Sequence, residues 1–109
     1  MAQFDVHRNK GALRESIPFV VLVQSAQFDR YRRRVVVPLV RLSALPAHTP
    51  TAGSRMNPTF TVGGVKVVLH PLDMVSVSQE QLGEHIGSLA SQGQSISDAL
   101  DELLTRSWG

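Results

Sequence analysis

The chain has 109 residues, the length of one domain, with hydrophobic residues at 42% and charged residues at only 18%. That balance excludes disorder over the whole length, and no apolar run approaches the roughly 20 residues needed to span a bilayer. Cysteine is absent, which excludes disulfide staples, thiol catalysis and Cys-ligated zinc. The first residues, Met-Ala-Gln-Phe-Asp-Val, lack the basic-then-apolar order of a signal peptide, so the expectation is a cytoplasmic protein with no membrane contact. The net charge of +2 conceals a split: residues 1–55 carry nine basic and three acidic side chains, residues 56–109 two basic and six acidic. A core of this size is marginal by itself, and oligomerisation is expected.

The first half reads as β. Gln3-Phe4-Asp5-Val6-His7 alternates and predicts a short strand with Phe4 and Val6 on one face. Arg8 to Ser16, polar around Gly11, predicts a loop. Ile17 to Gln24 is apolar on both faces, with Ile17, Phe19, Val21 and Val23 on one side and Val20 and Leu22 on the other. Such a strand is covered twice, as in a closed barrel or a dimer. Arg32-Arg33-Arg34 leads into a strand from Val35 to Val40, in which Pro38 lacks a ladder donor and predicts an edge or a bulge. Leu42 to Pro58, with Pro46, Pro50 and Gly53, predicts irregular structure. Thr59 to Val62 and Val65 to Leu69 flank Gly63-Gly64, the signal of a type I′ hairpin, and Met74-Val75-Ser76-Val77 predicts a further strand.

The last third reads as helical. Ser78-Gln79-Glu80-Gln81 has the pattern of a capping box, followed by Leu82, Ile86 and Leu89 at helical spacing. Gly83 and Gly87 each cost about 1 kcal/mol in a helix interior, which makes this helix short or weak. From a cap at Ser95, Ile96, Ala99, Leu100, Leu103 and Leu104 form one apolar stripe of a second helix. No repeat or linker divides the chain, so residues 1–109 are read as a single β-rich domain closed by a C-terminal helix.

No constellation of catalytic or metal-binding residues stands out. His7, His48, His70 and His85 have no partners at metal-ligand spacing and read as polar loop or surface residues; no metal or cofactor is expected. There is no GxSxG nucleophile elbow, and Asp98, Asp101 and Glu102 sit on the polar face of the terminal helix. Arg30, Arg32, Arg33 and Arg34 form the densest positive cluster, a possible phosphate binder, but only Phe28 and Tyr31 lie nearby to stack bases. Strand alternation sends Arg32 and Arg34 one way and Arg33 the other, which breaks the patch. Trp108 either folds back on the core or protrudes as a partner anchor; both readings stay open.

The order of these segments resembles the CcdB family of toxins. The resemblance is carried by Gln3-Phe4-Asp5-Val6, Pro18 to Ser25, Arg33 to Leu39, Arg55-Met56-Asn57-Pro58, the hairpin, Met74 to Val77 and the stretch Ile96 to Leu104 with Ala99-Leu100-Asp101. It implies a dimeric, mainly β fold, an SH3-like β-barrel with a C-terminal α-helix. It implies a type II toxin–antitoxin function, maintaining plasmids and poisoning DNA gyrase. Such a toxin binds the gyrase A subunit, traps the cleaved-DNA complex and has no catalytic site of its own. It implies an antitoxin with an acidic tail, through which alone operator DNA is contacted in transcription autoregulation.

Carried onto this sequence, the gyrase surface is the helix end and tail, Asp101, Leu104, Thr105, Arg106, Ser107, Trp108 and Gly109, with Gln27 and Phe28 beside it. Two placements compete, because the terminal Ile common in the family is missing. Anchoring on the tail makes Trp108-Gly109 functional; anchoring on Ala99-Leu100-Asp101 makes Thr105, Arg106 and Ser107 functional and is slightly preferred. The basic half, at Arg8, Arg14, Arg32, Arg33 and Arg34, is the expected landing surface for the antitoxin, and Met74, Val75, Ser76 and Val77 with the terminal helix the expected dimer interface. The alternatives are a ribonuclease of the MazF/Kid type on the same barrel, or a degenerate homologue that binds antitoxin without poisoning gyrase.

Overall fold

A computed structural model describes residues 1–45 and 52–106. Its strands are β1 (Asp5–Asn9), β2 (Phe19–Leu22), β3 (Arg33–Arg41), β4 (Thr59–Val62), β5 (Val65–Leu69), β6 (Val75–Ser78) and β7 (Leu82–Ser88), followed by one helix, α1 (Gly93–Asp101). All seven strands form one antiparallel sheet in the order β4-β5-β3-β2-β1-β7, with β6 paired to β3 off this path. The sheet curls into a half-barrel, so that Thr61 to Gly63 at one end and Ile86 to Leu89 at the other border the same cleft.

The core follows from alternation along these strands. Val6, Phe19, Val21, Val37, Leu39, Phe60, Val62, Val67 and Leu69 point inward, and Ile96 and Ala99 of α1 plug the open side. Val20, Leu22 and Val36 point to the opposite face, where Val77 and Leu82 pack on them. β2 is therefore covered on both faces, as its apolar run predicts. The Gly63-Gly64 hairpin also forms as predicted, with both glycines at positive φ, 55° and 80°, between the paired Val62 and Val65.

Pro38 lies on neither an edge nor a bulge; it sits in the middle of the central strand. β3 pairs with β6 at Arg33 to Val36 and with β5 at Leu39 to Arg41. The Pro38 carbonyl accepts from the His70 N–H on that same side (3.1 Å). In an antiparallel strand a residue's N and O face the same neighbour, so the missing donor falls in the gap where β3 changes partners.

Two predicted elements are corrected. Residues expected as a helix from Ser78 to Leu89 form a single 3₁₀ turn (Gln79–Gln81) and then β7. The capping box is real, with Gln81 Oε1 accepting from the Ser78 N–H at 2.8 Å, but it caps only that turn. Gly83 decides the matter: a Cβ there would stand 2.7 Å from the Arg8 carbonyl oxygen, because β1 and β7 approach closely. Phe4, expected within a strand, instead takes φ 71° before β1 begins. Its ring lies on Gly93, where a Cβ would come within 2.5 Å of the ring edge.

A buried guanidinium organises the turn after β2. Arg34 is fully buried; it pairs with Asp29 and donates to Gln24 Oε1 and the Ser25 carbonyl. Gln24 Oε1 also accepts from the Val35 N–H at 2.9 Å, extending the sheet pattern beyond the end of β2. The Met1 ammonium donates to the other Asp29 oxygen at 2.9 Å. That hydrogen bond, reinforced by Arg34, holds the Asp29 carboxyl below the usual carboxylate range.

Gly83→Ala is expected to cost about 1–3 kcal/mol in chemical denaturation, whereas Gly87→Ala, whose Cβ meets nothing within 4 Å, should stay close to wild type. The lowered Asp29 pKa means that its stabilisation is complete above roughly pH 4 and is lost as the pH falls through the lowered value. Melting temperatures of wild type and Asp29→Asn should therefore differ near neutral pH and converge in acid; parallel curves would contradict the role given to this carboxylate.

Candidate functional site

The end of the terminal helix is built on the core and turned outward. Ile96 and Ala99 are buried, Leu100 and Leu103 half-buried. After Asp101 the chain widens into a π turn (Glu102–Arg106), which shifts the phase of the side chains. The stripe expected to bury Leu104 therefore ends before it: Leu104 is 65% exposed. Asp101 and Thr105 are exposed beside it, with Thr105 Oγ1 donating to the Asp101 carbonyl at 2.9 Å. Arg55 braces this end, its guanidinium 4.0 Å from Asp98 and 3.4 Å from Glu102. The Arg106 side chain and Ser107, Trp108 and Gly109 lie outside the described residues, so the two tail placements are not distinguished there.

Gln27 and Phe28 occupy a 3₁₀ turn (Ala26–Phe28). Phe28 meets Tyr31 at a tilt, with ring centroids 6.0 Å apart and an interplanar angle of 36°. The basic cluster is arranged differently from the expected alternation. β3 begins only at Arg33, so Arg32 precedes the strand and is not bound by its period. Arg32 and Arg33 line one depression together with Phe28 and Tyr31. Arg34 is withdrawn from any landing surface, because its guanidinium is consumed inside the protein by Asp29, Gln24 and Ser25.

Arg8 and Arg14 remain exposed. Arg8 pairs with Glu84 at 3.2 Å and lies 5.9 Å from the centre of the Phe19 ring. Near them, Leu13, Ile17, Val20, Val36, Val75, Val77 and Leu82 line a largely apolar groove of about 250 Å³. Val75 is 48% exposed and Val77 half-buried, Ser76 is exposed, and Met74 packs against the core. Among the described residues β6 pairs only with β3, and it turns Val75 and Val77 toward the groove.

His7 departs from the surface reading. It is 8% exposed on β1, its Nδ1 3.1 Å from the Gly83 carbonyl and its ring edge-on to His85 at 5.4 Å. His85 Nε2 lies 3.5 Å from an Asp5 oxygen. Sequence reading missed this group because the register of β1 against β7 joins residues 78 positions apart. Among the described residues no cluster of three or more such groups could hold a metal ion, and no described helix is long and apolar enough to cross a membrane. His48 lies outside the described residues.

Two solved structures share the overall shape. One is an endoribonuclease in complex with its cognate antitoxin from mycobacterial species, 14% identical, with a TM-score of 0.73 over 100% of this chain and 99% of that one. The other is an endoribonuclease from mycobacterial species, 16% identical, with a TM-score of 0.68 over 100% of this chain and 95% of that one. At these identities the likeness establishes the fold. No curated protein matches the chain in sequence. The family described as CcdB protein matches residues 3–106, from the segment before β1 to the last turn of the helix, and the chain therefore belongs to the CcdB family of toxins.

Proposed function

We propose that this chain is the toxin of a type II toxin–antitoxin module, acting by binding the DNA gyrase A subunit and trapping the cleaved gyrase–DNA complex. The observation that carries the reading is the family match across residues 3–106, which takes in the terminal helix. At its end the helix presents Leu104, an apolar side chain left in water, with Asp101 and Thr105 beside it. An exposed apolar anchor ringed by polar groups is the make-up of a binding hot spot. In this reading Ser107, Trp108 and Gly109, together with Gln27 and Phe28, also contact gyrase.

In this reading the action needs no bond to be made or broken by the chain's own side chains. Two protomers pair through Met74 to Val77 and present two such helix ends. The antitoxin's acidic tail lands on Arg8, Arg14, Arg32 and Arg33. Arg34 supports that surface from below by fixing the turn that precedes it.

A second reading, ribonuclease activity, is favoured by one observation: His85, with Asp5 on one side and His7 on the other, forms a potential proton-transfer group, on a fold shared with two endoribonucleases. RNA incubated with the purified protein and no gyrase separates the two. Cleavage that His85→Ala abolishes would favour the second.

For the first reading, the protein should convert supercoiled DNA to linear product only when gyrase is present. Leu104→Asp should reduce that conversion at least about tenfold, the size of one lost hot-spot contact, with no loss of melting temperature. A folded protein without any effect on gyrase would overturn the reading. Deleting Trp108-Gly109 chooses between the tail placements: surviving activity assigns function to Thr105, Arg106 and Ser107.

A further inference from the structure

The depression at the start of β3, between the turn after β2 and Ser76 of β6, is lined by Gln24, Phe28, Tyr31, Arg32, Arg33 and Val35 and has a volume of about 430 Å³. Its floor and rim are held in place. Gln79, from the turn after β6, donates its side-chain amide to both the Asp29 and the Tyr31 carbonyls at 3.0 Å, and its own N–H donates to the Arg32 carbonyl at 3.0 Å. The Tyr31 N–H returns to the Phe28 carbonyl at 3.0 Å, and buried Arg34 anchors Asp29 underneath. A fixed aromatic pair results, and the outer ring, Tyr31, is 59% exposed.

The charges around this ring are poorly neutralised. Arg33 donates from Nε to Ser76 Oγ at 2.9 Å and from Nη2 to the Ser76 carbonyl. Both acceptors are neutral: they aim the guanidinium without cancelling its charge and leave three of its five donors for a ligand. Arg32 reaches Glu80 only at 3.9 Å, with both side chains in solvent, a pair of little strength. Arg30 is exposed on the same turn, and among the described residues no carboxylate pairs with it or with Arg33.

We propose that this depression is a single-stranded nucleic-acid site, in which Tyr31, backed by Phe28, stacks a base and Arg32 and Arg33 hold the flanking phosphates. A flat π-face beside aimed guanidinium groups is complementary to a base and its phosphodiester. A duplex keeps its bases stacked inside and offers Tyr31 nothing, whereas an acidic peptide would use the arginines and leave the ring in water. The site shares Arg32, Arg33 and Phe28 with the surfaces of the proposed toxin function, but single-strand binding needs neither gyrase nor antitoxin and is measured on the chain alone.

The test is fluorescence anisotropy of the full chain with a labelled ten-nucleotide oligo(dT) or oligo(U), against a duplex and a deca-glutamate of similar length. The expected result is saturable binding of the single strand, with log K falling against log salt at a slope of about −1.4, from two phosphates at roughly 0.7 each. Tyr31→Ala should weaken it about tenfold and Tyr31→Phe should not; Arg33→Ala should weaken it and flatten the slope by about 0.7. Circular dichroism confirms that each variant is folded, which the exposure of Tyr31 and Arg33 favours. No binding at low salt, equal binding of the duplex or the glutamate peptide, or indifference to Tyr31→Ala would each overturn the proposal.

Discussion

The architecture depends on one strand doing the pairing of two. β3 runs for nine residues and holds β2 along one side while dividing its other side between β6 and β5. The two partners take separate stretches of that side, Arg33 to Val36 and Leu39 to Arg41, and the sheet that carries them curls. Pro38 belongs at the division because a backbone N–H there would face neither partner. Once β3 is placed, the inward set of Val37 and Leu39 and the outward set of Arg34 and Val36 are fixed by alternation. The core and the arginine turn are thus consequences of a single register.

That register also gives three neighbouring arginines three different fates. Arg34 points to the face where the turn after β2 folds back over it, and becomes an internal strut. Arg33 points to the other face and is aimed by Ser76 of β6. Arg32, just ahead of the strand, follows the turn and not the pleat. A basic cluster that reads as one feature in the sequence is one structural cation and two available ones. The available pair gains its surroundings from Gln79, almost fifty positions away, which no local reading of residues 28 to 34 could supply.

Local signals were legible where local physics decides. The Gly-Gly hairpin, the doubly apolar β2 and the apolar face of the terminal helix around Ile96 and Ala99 all read correctly. They failed where a distant neighbour decides. Leu82, Ile86 and Leu89 keep helical spacing, yet the carbonyl of Arg8 claims the space beside Gly83, and the segment extends as a strand. Leu104 continues the stripe of the helix in the sequence, yet the π turn rotates it into water. The pairing of His7 with His85 has no local trace. The family could be read from the order of segments because that order preserves the topology; the roles at the helix end rested on resemblance, since composition and spacing around Asp101 to Arg106 describe only an amphipathic helix.

The contact of Phe4 with Gly93 and the pairing of β1 with β7 tie the first residues of the chain to nearly the last. A growing chain can form the β4–β5 hairpin and lay β2 on β3 early, but β1 keeps an unpaired edge until Leu82 to Ser88 exist. The helix likewise has no complete seat before then. Closing contacts of such long sequence separation are slow to form. The native half-barrel therefore closes only once β7 and α1 have been made, and any binding surface at the helix end comes into being with that closure.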